Sequence, residues 1–395
     1  MPRTMTTFAV AVVALALVGG LATPADAAPK KPARVGAISV THTTKTTISV
    51  KWSKPKRAKR YEIVVADNKR MTKGRAHRIV KKRTFKIRNR EPGEIYYVKV
   101  RALRDDRKGT FSKKLRVRTR SATISVRSAT FNVCGIDAWC SAVRPALAPW
   151  ATRQHAAGKV ARALKADVLA VQEDRSADFE KQLPTMVLAG SRGYVSLYYR
   201  GSRFEQRAAG TFVLPGGKVG SSKTAAKYAV WARLRDKVTH TDFIAVSTHL
   251  QPFKGRAYDA VRFDQTIKLI EKVKAINVAR RPVVIAGDLN SSADNAQQSK
   301  YEGGFDAPTQ AFGSARYVDA RDAADATHHA DYNSFHQTVN PPIREGNHLD
   351  HLFTSPGIRT ASWSVAINLS GGANAIPFAS DHSPVKAKIS IAGYP

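Results

Sequence analysis

"VVIAGDLNSS", Val283 to Ser292, begins with apolar residues suited to a strand buried on both faces and then presents a carboxylate and an amide, Asp288 and Asn290. Taken alone, an Asp or Asn after a strand is a turn former or a helix cap. The same juxtaposition recurs along the carboxy-terminal two thirds of the chain. Asn132 closes "TISVRSATFNV", Gln172 and Glu173 close "DVLAVQED", and Thr248 and His249 close "DFIAVSTHL". Asp350 and His351 interrupt "HLDHLF", and Asp381 and His382 open "SDHSPVKAKISI". Helical patterns lie between these strands: one ends in "GKVARALKA", and another carries Val261, Ile267, Ile270, Val273 and Ile276 at near-helical spacing. Alternating strands and helices predict an α/β module, in which strand ends converge on one rim of a sheet and build a site.

The residue types at that rim limit its chemistry. Carboxylates and amides are hard oxygen ligands, suited to Mg²⁺, with Ca²⁺ or Mn²⁺ also admissible, and poorly suited to soft metals. Two histidines add groups that titrate near neutrality, so one can take a proton from water while the other gives one to a leaving oxygen. Together they suit in-line attack of water on a phosphodiester, where negative charge must be balanced on the phosphoryl oxygens.

The chain has 395 residues, 43% of them hydrophobic, enough for one large core or two modest ones. Residues 1–28 read as a signal peptide: Arg3, an apolar run from Phe8 to Ala22, and the small-residue site Ala25-Asp26-Ala27. A secreted protein is expected, with a membrane helix as the alternative. Export would let the two cysteines, Cys134 and Cys140, form a disulfide; two buried thiols are the other reading. Two cysteines without clustered histidines argue against zinc.

Net charge is +35, unevenly spread. Residues 29–120 hold 31 Lys and Arg against 6 Asp and Glu, a net +25, whereas residues 121–395 hold 33 against 23, a net +10. Electrostatics predicts polyanion partners for the first segment: nucleic acid, an anionic cell-surface polymer or an acidic membrane. In "TTISVKWSK" and "YYVKVRAL" polar and apolar residues alternate, and no stretch from Pro32 to Thr119 has helical periodicity, so residues 29–120 are expected to form a small all-β sandwich. Trp52, Tyr61 and "EPGEIYYVKVRA" resemble a fibronectin type III domain, a resemblance that makes Tyr96 the residue whose hydroxyl ties the corner of the sandwich. Lys51, Lys99 and Arg101 are expected to face outward, as a tether to something negative.

Residues 121–395 resemble the endonuclease/exonuclease/phosphatase superfamily through the ordered set "FNV", "VQE", "STHL", "GDLN", "LDHLF" and "SDHSPV". The resemblance implies a DNase I-like α/β (α+β) fold, a four-layered sandwich with two facing sheets between helices, here joined to the smaller N-terminal sandwich. It also implies roles. Glu173 is the main metal carboxylate, Asn132 a ligand or phosphate contact beside it, and Asp381 the second carboxylate near the metal. Asp288 and Asn290 position phosphate, water or a second ion. His382 activates water, Asp350 fixes its tautomer, and His249 protonates the leaving oxygen.

The chain departs from the pattern at Cys134, where some relatives carry an acidic residue, and before "YVSLYYR", where "AGSRG" offers no glutamate to support His249. Arg200 is read as surface rather than site; His328, His329, His336 and His348 are read as structural or incidental. The expected activity is that of a monomeric, secreted nuclease. A sphingomyelinase-like phospholipase is the nearest rival, since "THLQ" with Arg262 and Gln265 suits that branch and Phe253 is a candidate lipid contact. A sugar or nucleotide phosphatase and a non-catalytic polyanion-binding adhesin follow.

Overall fold

The computed structural model describes residues 30–120, 122–175, 179–293, 306–367, 369–374 and 377–393. The expected signal peptide lies outside the described residues. Among them, no helix is long and apolar enough to cross a membrane.

The amino-terminal part is a β-sandwich. A sheet of Ile38–Thr43, Ile48–Trp52 and Thr84–Ile87 faces a second sheet built on Arg60–Ala66 and Ile95–Arg104. Alternation along the strands turns Val50, Ile63, Val98 and Val100 into the shared core, where Trp52 meets Tyr61 edge to face at 5.4 Å. The Tyr96 hydroxyl accepts the Glu91 N–H at 2.8 Å, which closes the expected corner.

The larger part stacks two sheets face to face. In the seven-stranded sheet, Ile124–Asn132 lies between parallel Val168–Gln172 and antiparallel Val385–Ile391. In the six-stranded sheet, Lys227–Asp236, Asp242–His249, Val283–Asp288 and Asp350–Thr354 are successive neighbours. Val126, Leu197, Phe243, Ala286, Leu352 and Ile389 fill the space between the sheets. Helix α1 (Trp150–Ala163) lays Ala157 and Ala161 on Phe131, Leu169 and Val171 of the seven-stranded sheet. Helices α2 (Arg256–Ile276) and α3 (Ala307–Ser314) cover the other sheet with Leu269, Val273 and Phe312. The order is helix, sheet, sheet, helix, as the four-layered expectation has it.

Covered on both faces, Val283–Asp288 is buried at every position, which is why its sequence is continuously apolar rather than alternating. Ile124–Asn132 alternates at its start and is continuously buried from Ser128 onward, because α1 shields only its far half. Register places the polar strand ends: Asp288 is paired with His249 on one side and Asp350 on the other, while Gln172 pairs with Asn132. Gly287 makes the close approach possible, since a Cβ there would lie 2.0 Å from the Thr248 carbonyl oxygen.

Candidate active site

One oxygen organises the rim. Asp288 Oδ2 accepts a hydrogen bond from Asn132 Nδ2 at 3.0 Å and lies 3.6 Å from His249 Nε2 and 3.8 Å from His382 Nε2. The Asn132 amide nitrogen also donates to Glu173 Oε1 at 3.0 Å, so one side chain spaces two carboxylates that would otherwise repel. Its oxygen accepts the Cys134 N–H at 2.9 Å. Asn132 therefore organises the carboxylates by hydrogen bonding. His382 Nδ1 meets Asp350 Oδ2 at 2.8 Å, which fixes the ring with Nε2 toward Asp288. The Phe335 ring packs on its face at 4.7 Å.

Three strand exits carry left-handed backbone at non-glycine residues, Cys134 (φ 50°), Glu173 (φ 55°) and Asn290 (φ 51°). Such conformations are disfavoured and recur where loops must aim functional groups. Cys134 and Cys140 form the expected disulfide. Glu173 Oε2 lies 3.3 Å from Cys140 Sγ, and a disulfide sulfur has no proton to donate, so this buried carboxylate oxygen faces a contact that does not neutralise it.

Electrostatics follows from burial. Glu173 is pushed above the ordinary carboxylate range by burial, with Asp381 adding to the rise. Burial and then Asp350 push Asp288 up to about 7. For His382, burial opposes the proton, but Asp350, Asp288 and Asp381 outweigh it and raise the imidazole to about 10. His249 is held well below the usual histidine value by burial, Lys227 and His382, so its ring is neutral. Burial lowers Lys227, whose amine feels Glu173 and Asp288.

Asn132, Glu173, His249, Asp288, Asp350 and His382 thus form one connected group. Asp381 borders it, held by Arg144 Nε at 2.9 Å and by Ser380 Oγ at 3.4 Å. Asn290 serves the loop: its N–H donates to Asp288 Oδ1 at 2.8 Å and its Nδ2 to the Leu250 carbonyl at 3.1 Å. Gln172 points between the sheets to Thr130 and Ser247. Arg200 binds Asp167 at the opposite end of the sheet, in keeping with its reading as surface.

Several residues that shape the site carry no signal in strand-end reading. Arg153 is fully buried and donates to the carbonyls of Val133 (2.7 Å), Ala379 (2.9 Å), Ala148 (2.9 Å) and Cys134, binding the loop after Asn132 to the loop before Asp381. Arg262, equally buried, holds the carbonyls of Gln251 and Phe253 at 2.8 Å each, and Gln265 accepts the Gln251 N–H at 2.9 Å, so both shape the loop after His249. His351 bridges Asp319 (2.7 Å) and the Ser291 carbonyl (2.9 Å). The structure adds two exposed rings to Phe253. Trp139, Tyr194 and Phe253 are the exposed aromatic side chains among the described residues, at 56%, 48% and 65%, and all three sit on loops at the catalytic rim.

The donor set fits a hard cation. Glu173 and Asp381 supply carboxylate oxygens, Glu173 Oε2 meets only a disulfide sulfur that has no proton to give, and the buried Asp350 Oδ1 close by has no hydrogen-bond partner. Of the two close groupings of potential ligands, Cys134, Cys140 and Glu173 offers only the Glu173 carboxylate because the cysteines are oxidised, and Asp288, Asp350 and His382 has its imidazole Nδ1 engaged by Asp350.

Facing sheets with carboxylates, an amide and two imidazoles at one rim define a phosphoester hydrolase of DNase I-like fold. Residues 129–382 match the Endonuclease/Exonuclease/phosphatase family, and residues 31–118 match the fibronectin type III domain. The chain belongs to the endonuclease/exonuclease/phosphatase family. Its fold is shared with an endonuclease/exonuclease/phosphatase family protein from Bacteroides thetaiotaomicron, 18% identical, TM-score 0.53, spanning 68% of this chain and 98% of that one. The endonuclease/exonuclease/phosphatase from Bacteroides vulgatus is 22% identical, TM-score 0.52, over 68% and 99%. The mannosyl-6-phosphatase of Bacteroides thetaiotaomicron is 18% identical, TM-score 0.52, over 67% and 99%. No curated protein matches the chain by sequence.

Proposed function

We propose that the chain is a secreted, divalent-metal-dependent phosphodiesterase whose substrate is a nucleic acid strand. The observation that carries this reading is the convergence of His249 and His382 on one oxygen of Asp288, with Glu173 joined to the same carboxylate through Asn132. That spacing lets one phosphate meet a base and a hydrogen-bond donor on different sides.

In this mechanism His382 Nε2 accepts the proton of the attacking water, and Asp350 holds Nδ1–H so that Nε2 is the free nitrogen. Asp288, from its central position, orients that water. His249, kept neutral, donates a hydrogen bond to the leaving oxygen and so steadies the negative charge that develops there, while the departing alkoxide takes its proton from solvent water rather than from the ring. Glu173 and Asp381 would hold a Mg²⁺ ion, which when bound supplies positive charge to the phosphoryl oxygens and weakens the hold of His382 on its proton. Lys227 and Arg144 add fixed positive charge beside the carboxylates.

A nucleic acid is favoured over a small phosphate ester by the exposed aromatics on either side of the cluster. Trp139 and Tyr194 meet at 6.1 Å on one side, and Phe253 with Tyr258 at 5.4 Å on the other, and such rings are platforms for unpaired bases. The same rings favour a second reading, a phospholipase resting on a lipid surface. Purified protein is assayed on single-stranded DNA, RNA, plasmid and sphingomyelin vesicles, with Mg²⁺ and with chelator. Metal-dependent loss of a nucleic acid is expected. Cleavage of sphingomyelin alone overturns the substrate, and undiminished cleavage in chelator overturns the metal.

A further inference from the structure

The two modules meet at the end of the catalytic sandwich that lies farthest from its site. Glu94, in the turn before Ile95–Arg104, accepts Arg235 Nη1 at 2.7 Å and lies 3.4 Å from His240 Nδ1. Thr241 Oγ1 donates to the Ala122 carbonyl at 2.7 Å. Arg118 packs into the same seam, facing Asp242, Arg281 and Arg235. All of these border the start of Asp242–His249, whereas the site lies at its end, about 23 Å away at ~3.3 Å per residue. On the small-sandwich side Arg120 N donates to the Thr44 carbonyl at 2.9 Å, and on the catalytic side Ile124 starts the next strand.

The opposite end of the small sandwich is where its cations concentrate. Strand register puts the loops 53–60, 81–84 and 104–108 together there, because Ile38 pairs with Trp52, Lys51 with Thr84, Tyr61 with Val80 and Arg60 with Leu103. These loops hold eleven Lys and Arg against two Asp, and one of the two, Asp105, is paired with Lys59 at 3.0 Å. Lys54, Lys56, Lys81, Lys82, Arg83 and Lys108 are all exposed. A groove of 520 Å³ opens beside the tip, with Lys81, Lys82 and Lys86 among hydroxyls of Thr41, Ser49 and Thr84, with the half-buried Phe85 in its wall and no carboxylate there. The module has no exposed aromatic side chain among its described residues, where the catalytic rim has three. Like charges crowded at a tip repel one another and store a standing affinity for a dense polyanion.

We propose that this distal tip is an anchor for a fixed, phosphate-rich surface polymer, and that it holds the catalytic rim turned away from that surface. Along the strands, the tip is separated from His249 by about 30 Å of small sandwich and about 23 Å of catalytic sheet. A substrate strand held at the tip would have to cross that whole length to be cut, and the contacts of Glu94 with Arg235 and His240 hold the tip at the far end from the site. With Phe85 half-buried and eleven cations around it the tip reads charge before bases, whereas the exposed rings lie at the rim.

The test uses full-length protein, beads carrying inorganic polyphosphate, and the triple variant Lys81→Glu, Lys82→Glu, Arg83→Glu, whose exposed positions leave the core untouched. Wild type is expected to be retained and to elute with salt. The variant should lose retention at least tenfold, with a log–log salt slope shallower by about 2 to 3, the counterions of three contacts. Acrylamide quenching of Trp139, the exposed tryptophan of the rim, should persist when soluble polyphosphate is bound; its loss would place the polymer at the site and overturn the orientation. Both readouts are independent of catalysis, so they stand or fall apart from the phosphodiesterase reading. Unchanged retention of the variant refutes the anchor. So does a tenfold rise in its KM for long single-stranded DNA with hydrolysis of bis(p-nitrophenyl) phosphate unaltered, because that outcome makes the tip a feeder of substrate.

Discussion

Replacing Asp350 by Asn tests the core of the mechanism with the loss of one charge and almost no volume. Asp350 and His382 are both buried and meet at 2.8 Å. A hydrogen bond to a charged group contributes about 1.5–3 kcal/mol, which at roughly 1.36 kcal/mol per unit lowers the proton affinity of His382 by about 1–2 units. Taken from the transition state, the same energy is about a 10- to 150-fold loss of rate. Asn adds a second effect. Its amide N–H can donate to Nδ1, which forces the remaining ring proton onto Nε2, the nitrogen that must accept one from water. The loss then approaches the whole general-base contribution, about 10²–10⁴-fold. Asp350→Ala, which dictates neither tautomer, should fall between Asn and wild type. The assay is the rate of bis(p-nitrophenyl) phosphate hydrolysis in saturating Mg²⁺ across pH, with circular dichroism to verify folding. Because rate requires unprotonated His382, it rises with pH, and losing the Asp350 charge should move that rise to lower pH while the plateau falls. An Asn variant that keeps a third of the wild-type rate, or a rise displaced to higher pH, refutes the roles given to both residues.

Arg153→Met should lower stability by about 2–4 kcal/mol, since two buried and two half-buried carbonyls lose their donor while the hydrocarbon volume is largely kept. Thermal melting reads this, and a melting temperature within 2 °C of wild type would show that the four bonds do not matter. Glu173→Gln should weaken Mn²⁺ binding at least tenfold by titration calorimetry, a readout that needs no turnover; equal affinity would move the ion elsewhere. His382 binds its proton more tightly folded, near 10, than at its ordinary 6.5. Its stabilising effect is therefore complete below about pH 6.5 and is lost as pH rises through about 10. The melting-temperature gap between chelator-treated wild type and His382→Gln should narrow from pH 6.5 to 9.5, and a widening gap contradicts the assignment.

The sequence shows the site where its logic is local. A strand end is visible as an apolar run stopping at a polar residue, so Asn132, Glu173, His249, Asp288, Asp350 and His382 were accessible before any coordinates. Register then decides which of them touch, and register is a property of pairing: Asp288 meets both His249 and Asp350 because three strands align at that residue. Arg153 and Arg262 are invisible by the same logic. Each lies on a helix whose pattern reads as an ordinary cationic face, yet the charge turns inward, Arg153 to the far-off Ala379 carbonyl and Arg262 to the Gln251 and Phe253 carbonyls of the loop before its own helix. Lys227 opens a strand that looks solvated and ends beside two carboxylates. Trp139 and Tyr194 are hidden in another way, because an aromatic residue in a short loop is as often buried as exposed, and only the fold shows that three loops bring their rings to one rim.

The charge of the molecule makes the composition of the site intelligible. Residues 121–395 still carry a net +10, which attracts phosphates at long range, and a cleft lined by further cations would retain the product as firmly as the substrate. Glu173, Asp288, Asp350 and Asp381 instead make the catalytic pocket a concentration of acid within a basic surface. On the proposed phosphodiesterase reading, a phosphate drawn to the rim by long-range attraction meets carboxylates at close range, and it settles where a hard cation would screen them or where His249 and Lys227 face it. Discrimination then occurs at the point of cleavage rather than at the point of attraction. Removing a rim cation such as Arg144 should change how readily substrate arrives, and removing a pocket carboxylate should change what happens after it does.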